Sequence, residues 1–135
     1  MTGFSRAEHE DGLARFIARE HRARFTAALG DERLRAKLRG RLAHFAWLDE
    51  RYVMEVSTPA PVALARQLRA DGAPAECVLL SEDDEVDGQV LALEDALRLV
   101  LHSDHAAMIS CVPGRLAVFS GEAPNETTLL LRRPT

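Results

Sequence analysis

The run from Cys77 to Leu101 constrains this chain most, because an apolar strand, an acidic loop and an apolar helix follow one another without interruption. Cys77-Val78-Leu79-Leu80 reads as the strand, and Leu93, Leu97, Val100 and Leu101 recur at helical spacing. Between them, Ser81 to Gly88 holds Glu82, Asp83, Asp84, Glu85 and Asp87. Such a unit calls for a sheet with a helix laid on it, and the flanking segments are read from there.

Downstream, Ala106 to Val112 reads as a second strand and Leu116 to Ser120 as a third. Pro113-Gly114 between them is a type II turn signal, proline fixing the first central φ and glycine supplying a positive φ at the second. Gly121 to Asn125 is another turn, and Thr127 to Arg132 makes the last strand of an antiparallel meander. Cys77 to Val112, as strand, helix and strand, is expected to form a parallel pair with a right-handed crossover.

The first 72 residues read as helical. Leu13, Ile17, His21, Phe25 and Leu29 follow at a spacing of four, predicting one helix from about residues 6–11 to the stop at Gly30. Asp31 can cap a second helix with the buried stripe Leu34, Leu38, Leu42 and Phe45. Its basic residues divide between two exposed sides, Arg33, Lys37 and Arg41 on one, Arg35 and Arg39 on the other. Asp49 to Val56 reads as a short helix, with a strand through Tyr52 to Val56 as the alternative. Ser57 to Pro61 breaks the chain. A further helix runs from about Pro61 to Asp71 and stops at Gly72.

These elements predict a single α+β domain over residues 1–135, with the N-terminal helices packed on one face of a mixed sheet of about four strands ending in an antiparallel meander. A chain of 135 residues with 47% apolar and 28% charged side chains is able to bury such a core. No apolar run approaches the roughly 18 residues of a membrane span, and acids stand where a secretory signal would be apolar. The expected location is therefore cytoplasmic, with no membrane partner. Cys77 and Cys111 sit inside apolar runs and read as small buried hydrophobes rather than a disulfide.

The acidic loop is the candidate site. Asp83, Glu85, Asp87, Gly88 and Glu94 match positions 1, 3, 5, 6 and 12 of a calcium loop, and Val90 supplies the apolar residue at position 8. Carboxylates gathered round one hard cation, with glycine at the sharp turn, would make Asp83, Glu85, Asp87 and Glu94 ligands for calcium or magnesium. Two features depart from the pattern: Glu85 replaces the usual Asp or Asn, and an apolar strand rather than a helix enters the loop. Glu82, Asp83 and Asp84, at the carboxyl end of a strand, are a second arrangement for magnesium. No phosphate-binding G-x-x-x-x-G-K-[ST] loop accompanies them.

Other chemistry has less support in the sequence. His102-Ser103-Asp104-His105 precedes Cys111, but His9, His21 and His44 complete no zinc-ligand spacing. The G-x-S-x-G, H-E-x-x-H and G-x-G-x-x-G patterns are absent.

Charge is uneven along the chain. Residues 1–51 carry eleven basic and eight acidic side chains, and residues 52–135 carry six and thirteen, so the net of -4 divides into +3 and -7. A basic helical half and an acidic sheet half suggest a protein-interaction or regulatory module without catalysis, engaging a protein partner or a second copy of itself. A divalent-cation protein or metal-dependent enzyme using residues 82–94 is the alternative. Nucleic-acid binding through the basic helix 33–41 is a third, set back by the overall acidity.

Overall fold

The computed structural model describes residues 3–57, 59–101, 103–121 and 127–134. The helices are α1 (Arg6–Leu13), α2 (Arg19–Leu29), α3 (Glu32–Arg41), α4 (Pro61–Ala70) and α5 (Leu93–Val100). The strands are β1 (Val53–Glu55), β2 (Glu76–Ser81), β3 (Val90–Ala92), β4 (Ala107–Val112), β5 (Leu116–Ser120) and β6 (Thr128–Arg132). They form one sheet in the order β1-β6-β5-β4-β2-β3, and every neighbouring pair is antiparallel.

The architecture is α+β, but the expected mixed sheet of four strands is corrected to an antiparallel sheet of six. Two short strands account for the difference. β1 pairs with β6, where a helix was favoured, and Asp49 caps only one 3₁₀ turn, Glu50–Tyr52, ahead of it. β3 folds back on β2, with Glu76 opposite Ala92 and Val78 opposite Val90. The crossover through α5 therefore leaves from β3 rather than β2, and reaches β4 on the other side of β2. A split β-α-β unit results, in which β2 lies antiparallel between two strands that share a direction. The meander of β4, β5 and β6 is present, with Val112 accepting from the Arg115 N–H across the Pro113-Gly114 turn. Of the turn at 121–125, all but Gly121 lies outside the described residues.

Helices cover both faces of the sheet, whereas all those before residue 72 were expected on one. Alternation along the strands sends Cys77, Leu79, Ile109, Cys111, Val118 and Leu130 toward α4 and α5. Leu80, Met108, Ala117, Phe119 and Leu131 face α1, α2 and α3. α4 thus joins α5, because its stripe of Leu64, Ala65 and Leu68 belongs to the first of these cores. Strands covered on both sides read as unbroken apolar runs, whereas the expected parallel pair came from the succession of strand, helix and strand with β3 overlooked.

The single N-terminal helix is also corrected. α1 tightens into a 3₁₀ turn at Ala14–Phe16, Ile17 turns extended, and α2 begins at Arg19. Ile17 bridges Leu48, the Ala18 N–H donates to Trp47 O at 2.7 Å, and the Asp49 N–H donates to Phe16 O at 2.8 Å. These bonds satisfy the backbone at the bend and let Leu13, Phe16, Ile17 and Phe25 all reach one core. α1 lies close on the β4–β5 turn, where a Cβ at Gly12 would meet the backbone of Pro113 and Gly114.

Candidate functional site

The acidic loop is organised by its own backbone and by α3. Ser81 Oγ accepts from the Asp83 N–H at 3.0 Å, and Asp83 Oδ1 accepts from the Glu85 N–H at 3.0 Å. Asp87 turns inward. Its Oδ1 accepts from the Ser81 N–H at 2.9 Å and from Arg35 Nη2 at 3.1 Å, and its Oδ2 accepts from Arg35 Nε at 2.8 Å. Arg39 Nε stands 3.5 Å from the same Oδ2. Arg35 also reaches Glu10 Oε2 at 2.9 Å, and Glu10 takes Arg6 Nε at 3.0 Å.

A chain of five charges, buried at Glu10 and Arg35 and open to solvent at Arg6, therefore ties α1, α3 and the loop together. Burial alone would lower the Arg35 pKa, but the hydrogen bonds to Asp87 and Glu10 outweigh it and hold it above its ordinary value. Gly88 has φ +79° beside Arg6, whose guanidinium fills the space a side chain there would occupy.

The four carboxylates picked out as ligands have different neighbours. Asp83 caps its own turn, Glu85 is exposed, Asp87 is held by Arg35, and Glu94 pairs with Arg98 at 2.8 Å along α5. The Glu94 carboxyl is lowered from its ordinary value by that hydrogen bond. Glu82 Oε1 accepts from the Ala106 N–H at 3.0 Å, joining the loop to the entry of β4. Among the described residues, no three His, Cys, Asp or Glu side chains are grouped to hold a metal ion.

Arg35 and Arg39 are thus corrected from an exposed side of the basic helix to an inward one. Arg33, Lys37 and Arg41 are exposed. The loop's demand for a partner was not visible, because Arg35 and Asp87 lie far apart in sequence.

The sulfur and imidazole groups are closed to solvent or apart. Cys111 is fully buried, and burial with Cys77 beside it pushes its thiol well above the ordinary value. Burial, with Glu76 nearby, pushes the Cys77 thiol up to about 12. His105 lies 3.9 Å from Glu82, and His102 is outside the described residues. His9 Nδ1 is hydrogen-bonded to Ser110 Oγ at 2.7 Å, a pair that spacing gave no hint of. His9 is 3% exposed and Ser110 1%, so substrate has no access to them.

The consecutive helices α2 and α3 leave an open groove of about 190 Å³, lined by Arg24, Ala27, Ala28, Leu34, Lys37, Leu38, Arg41 and Trp47. Gly30 and the Asp31 cap set the tight turn between the helices, and small Ala27 and Ala28 hold the floor low. Leu34 is 41% exposed, so its side chain stands at the edge of this floor. At one end His21 stacks on Trp47, ring centroids 4.8 Å apart and planes 4° apart. The guanidinium carbons of Arg24 and Arg41 lie 5.2 and 5.1 Å from the Trp47 ring centre. Trp47 is the chain's one tryptophan. Among the described residues, none of Arg24, Lys37 and Arg41 is paired with a carboxylate.

No family model, curated protein or solved structure matches the chain. The sequence signals for the groove were the basic residues of α3 and the lone Trp47. What could not be read was that Trp47, brought back by the Ile17–Leu48 bridge, lies against both helices.

Proposed function

We propose that this chain is a protein-interaction module whose docking face is the groove between α2 and α3. The observation that carries this is the combination there of an apolar floor open at Ala27 and Leu34 with two arginines that lie on Trp47 and pair with no carboxylate among the described residues. Arginine and tryptophan are the side chains that most often dominate binding energy in interfaces, because each offers large contact area with little freedom left to lose. At about 190 Å³ the groove is smaller than the roughly 300–1,000 Å³ typical of cofactor and small-molecule pockets, and suits an anchoring side chain of a partner. The partner is another protein or a second copy, and the expected setting is the cytoplasm, where buried free thiols such as Cys77 and Cys111 are usual. Among the described residues no helix is long and apolar enough to cross a membrane.

A photo-reactive side chain in place of Leu34, compared in cells with one in place of the exposed Arg98 on α5, tests this role. A discrete adduct from position 34 alone is expected. No adduct at position 34, or the same adducts from both positions, would contradict it. Mass measured at low and high salt then separates a second copy from a different chain.

A further inference from the structure

We infer that the occupant of the α2–α3 groove is an acidic amphipathic segment of a partner protein, with an apolar side chain seated on Ala27 and Leu34 and carboxylates meeting Arg24, Lys37 and Arg41. The inference rests on the docking role just proposed and specifies its chemistry. Three cations and no acid line the groove, in a chain whose net charge is -4. An uncompensated basic strip on an acidic protein selects an acidic ligand by contrast with its surroundings, and like charge elsewhere discourages the wrong approach.

Arg24 and Arg41 are ordered before the ligand arrives. Both guanidinium groups lie against the Trp47 ring, and Arg24 Nη2 is also 3.1 Å from His21 Nδ1. A guanidinium held over an aromatic face by cation–π attraction keeps N–H groups for a carboxylate, which it can take in two parallel hydrogen bonds. Because the side chains are already held, less freedom is lost when the carboxylate binds. Lys37, one turn before Arg41 on α3, adds a third cation on the same side.

The same arrangement disfavours nucleic acid. Single-stranded binding sites offer open aromatic faces on which bases stack, whereas Trp47 is already covered by His21 and the two arginines. The floor of Ala27, Ala28, Leu34 and Leu38 has nothing to offer a sugar-phosphate backbone but suits a leucine or phenylalanine.

Trp47 emission reports directly on the groove, since no other tryptophan contributes. The full chain is titrated with a peptide in which leucines at helical spacing are flanked by Asp and Glu, with its Asn/Gln counterpart, with its Lys counterpart, and with oligothymidylate. Saturable change with the acidic peptide is expected, at least about tenfold tighter than with the Asn/Gln peptide, as two or three partly exposed ion pairs provide. Raising salt from roughly 0.1 M to 1 M, which shortens screening from about 10 Å to 3 Å, should remove most of that margin. The Arg24→Gln/Arg41→Gln variant, checked for an unchanged melting temperature, should lose it as well.

Equal affinity for the acidic and Asn/Gln peptides would overturn the acidic partner while leaving docking at the groove intact. Tighter binding of the Lys peptide or of oligothymidylate would overturn it too. Silence of Trp47 with every probe would also overturn it, and the docking role itself would then be judged by the adduct at position 34.

Discussion

Arg35 is the residue on which three parts of the fold meet, since it bonds Asp87 of the acidic loop and Glu10 of α1 from its place on α3. Removing one partner of a buried pair leaves the other charge uncompensated. Asp87→Ala is therefore expected to cost roughly 3 kcal/mol in a denaturant titration, and adding Arg35→Met to that variant should recover part of the loss. A loss no greater than for Glu85→Ala, at an exposed position, would show that the network contributes little. The same contacts bear on the expected cation site. With Asp87 held by Arg35 and Glu94 by Arg98, millimolar calcium or magnesium should leave the melting temperature unchanged. A clear rise would show that the loop rearranges round an ion.

His9 gives a pH dependence of defined sign. Burial lowers its pKa, against a smaller opposite effect of Glu8. The unfolded chain therefore binds the proton more readily than the folded one. Stability from this site is complete above the ordinary histidine value of about 6.5 and is lost as pH falls below it through the depressed folded value. Unfolding free energy should decline over that range in the native chain and decline less in His9→Gln. Parallel curves for the two would contradict this. Neither His9 nor Arg35 announced itself in the sequence. Their partners, Ser110 and Asp87, are 101 and 52 positions away, and no local pattern encodes contacts of that span.

At the scale of elements, legibility followed locality. The Asp31 cap of α3, the Pro61 start of α4, the turn at Pro113-Gly114 and the meander all depend on neighbouring residues, and the sequence displayed them. β1 and β3, three residues each, exist through pairing with β6 and β2 and have no periodicity long enough to register. Missing β3 turned a split β-α-β unit into an apparent parallel pair. The spacing-of-four stripe from Leu13 to Leu29 likewise suited one helix, but it gave no weight to the Ile17–Leu48 bridge that divides α1 from α2. The close contact of α1 with the β4–β5 turn makes a further expectation. Alanine favours a helix over glycine by about 1 kcal/mol, yet Gly12→Ala should destabilise by about 2 kcal/mol because backbone atoms of Pro113 and Gly114 stand in the way. A gain in stability on that substitution would mean that α1 shifts freely on the sheet.

Across the whole molecule, the sheet separates two helical layers of different character. α4 and α5 cover one side with an aliphatic core, while α1, α2 and α3 cover the other, and α2 and α3 present a basic outer surface. The acidic loop, which dominates the sequence, acts in the fold as the anchor for that basic layer through Asp87 and Arg35. The groove opens between the outer helices α2 and α3, so a ligand there approaches without disturbing the sheet. The most direct measurement is a chemical-shift map of the isotope-labelled chain titrated with the acidic peptide. The account predicts perturbations concentrated at Ala27, Leu34, Leu38 and the Trp47 indole, with Glu82 to Asp87 and the β1 edge unmoved. Perturbations centred on that loop or that edge, with the α2–α3 groove silent, would contradict it.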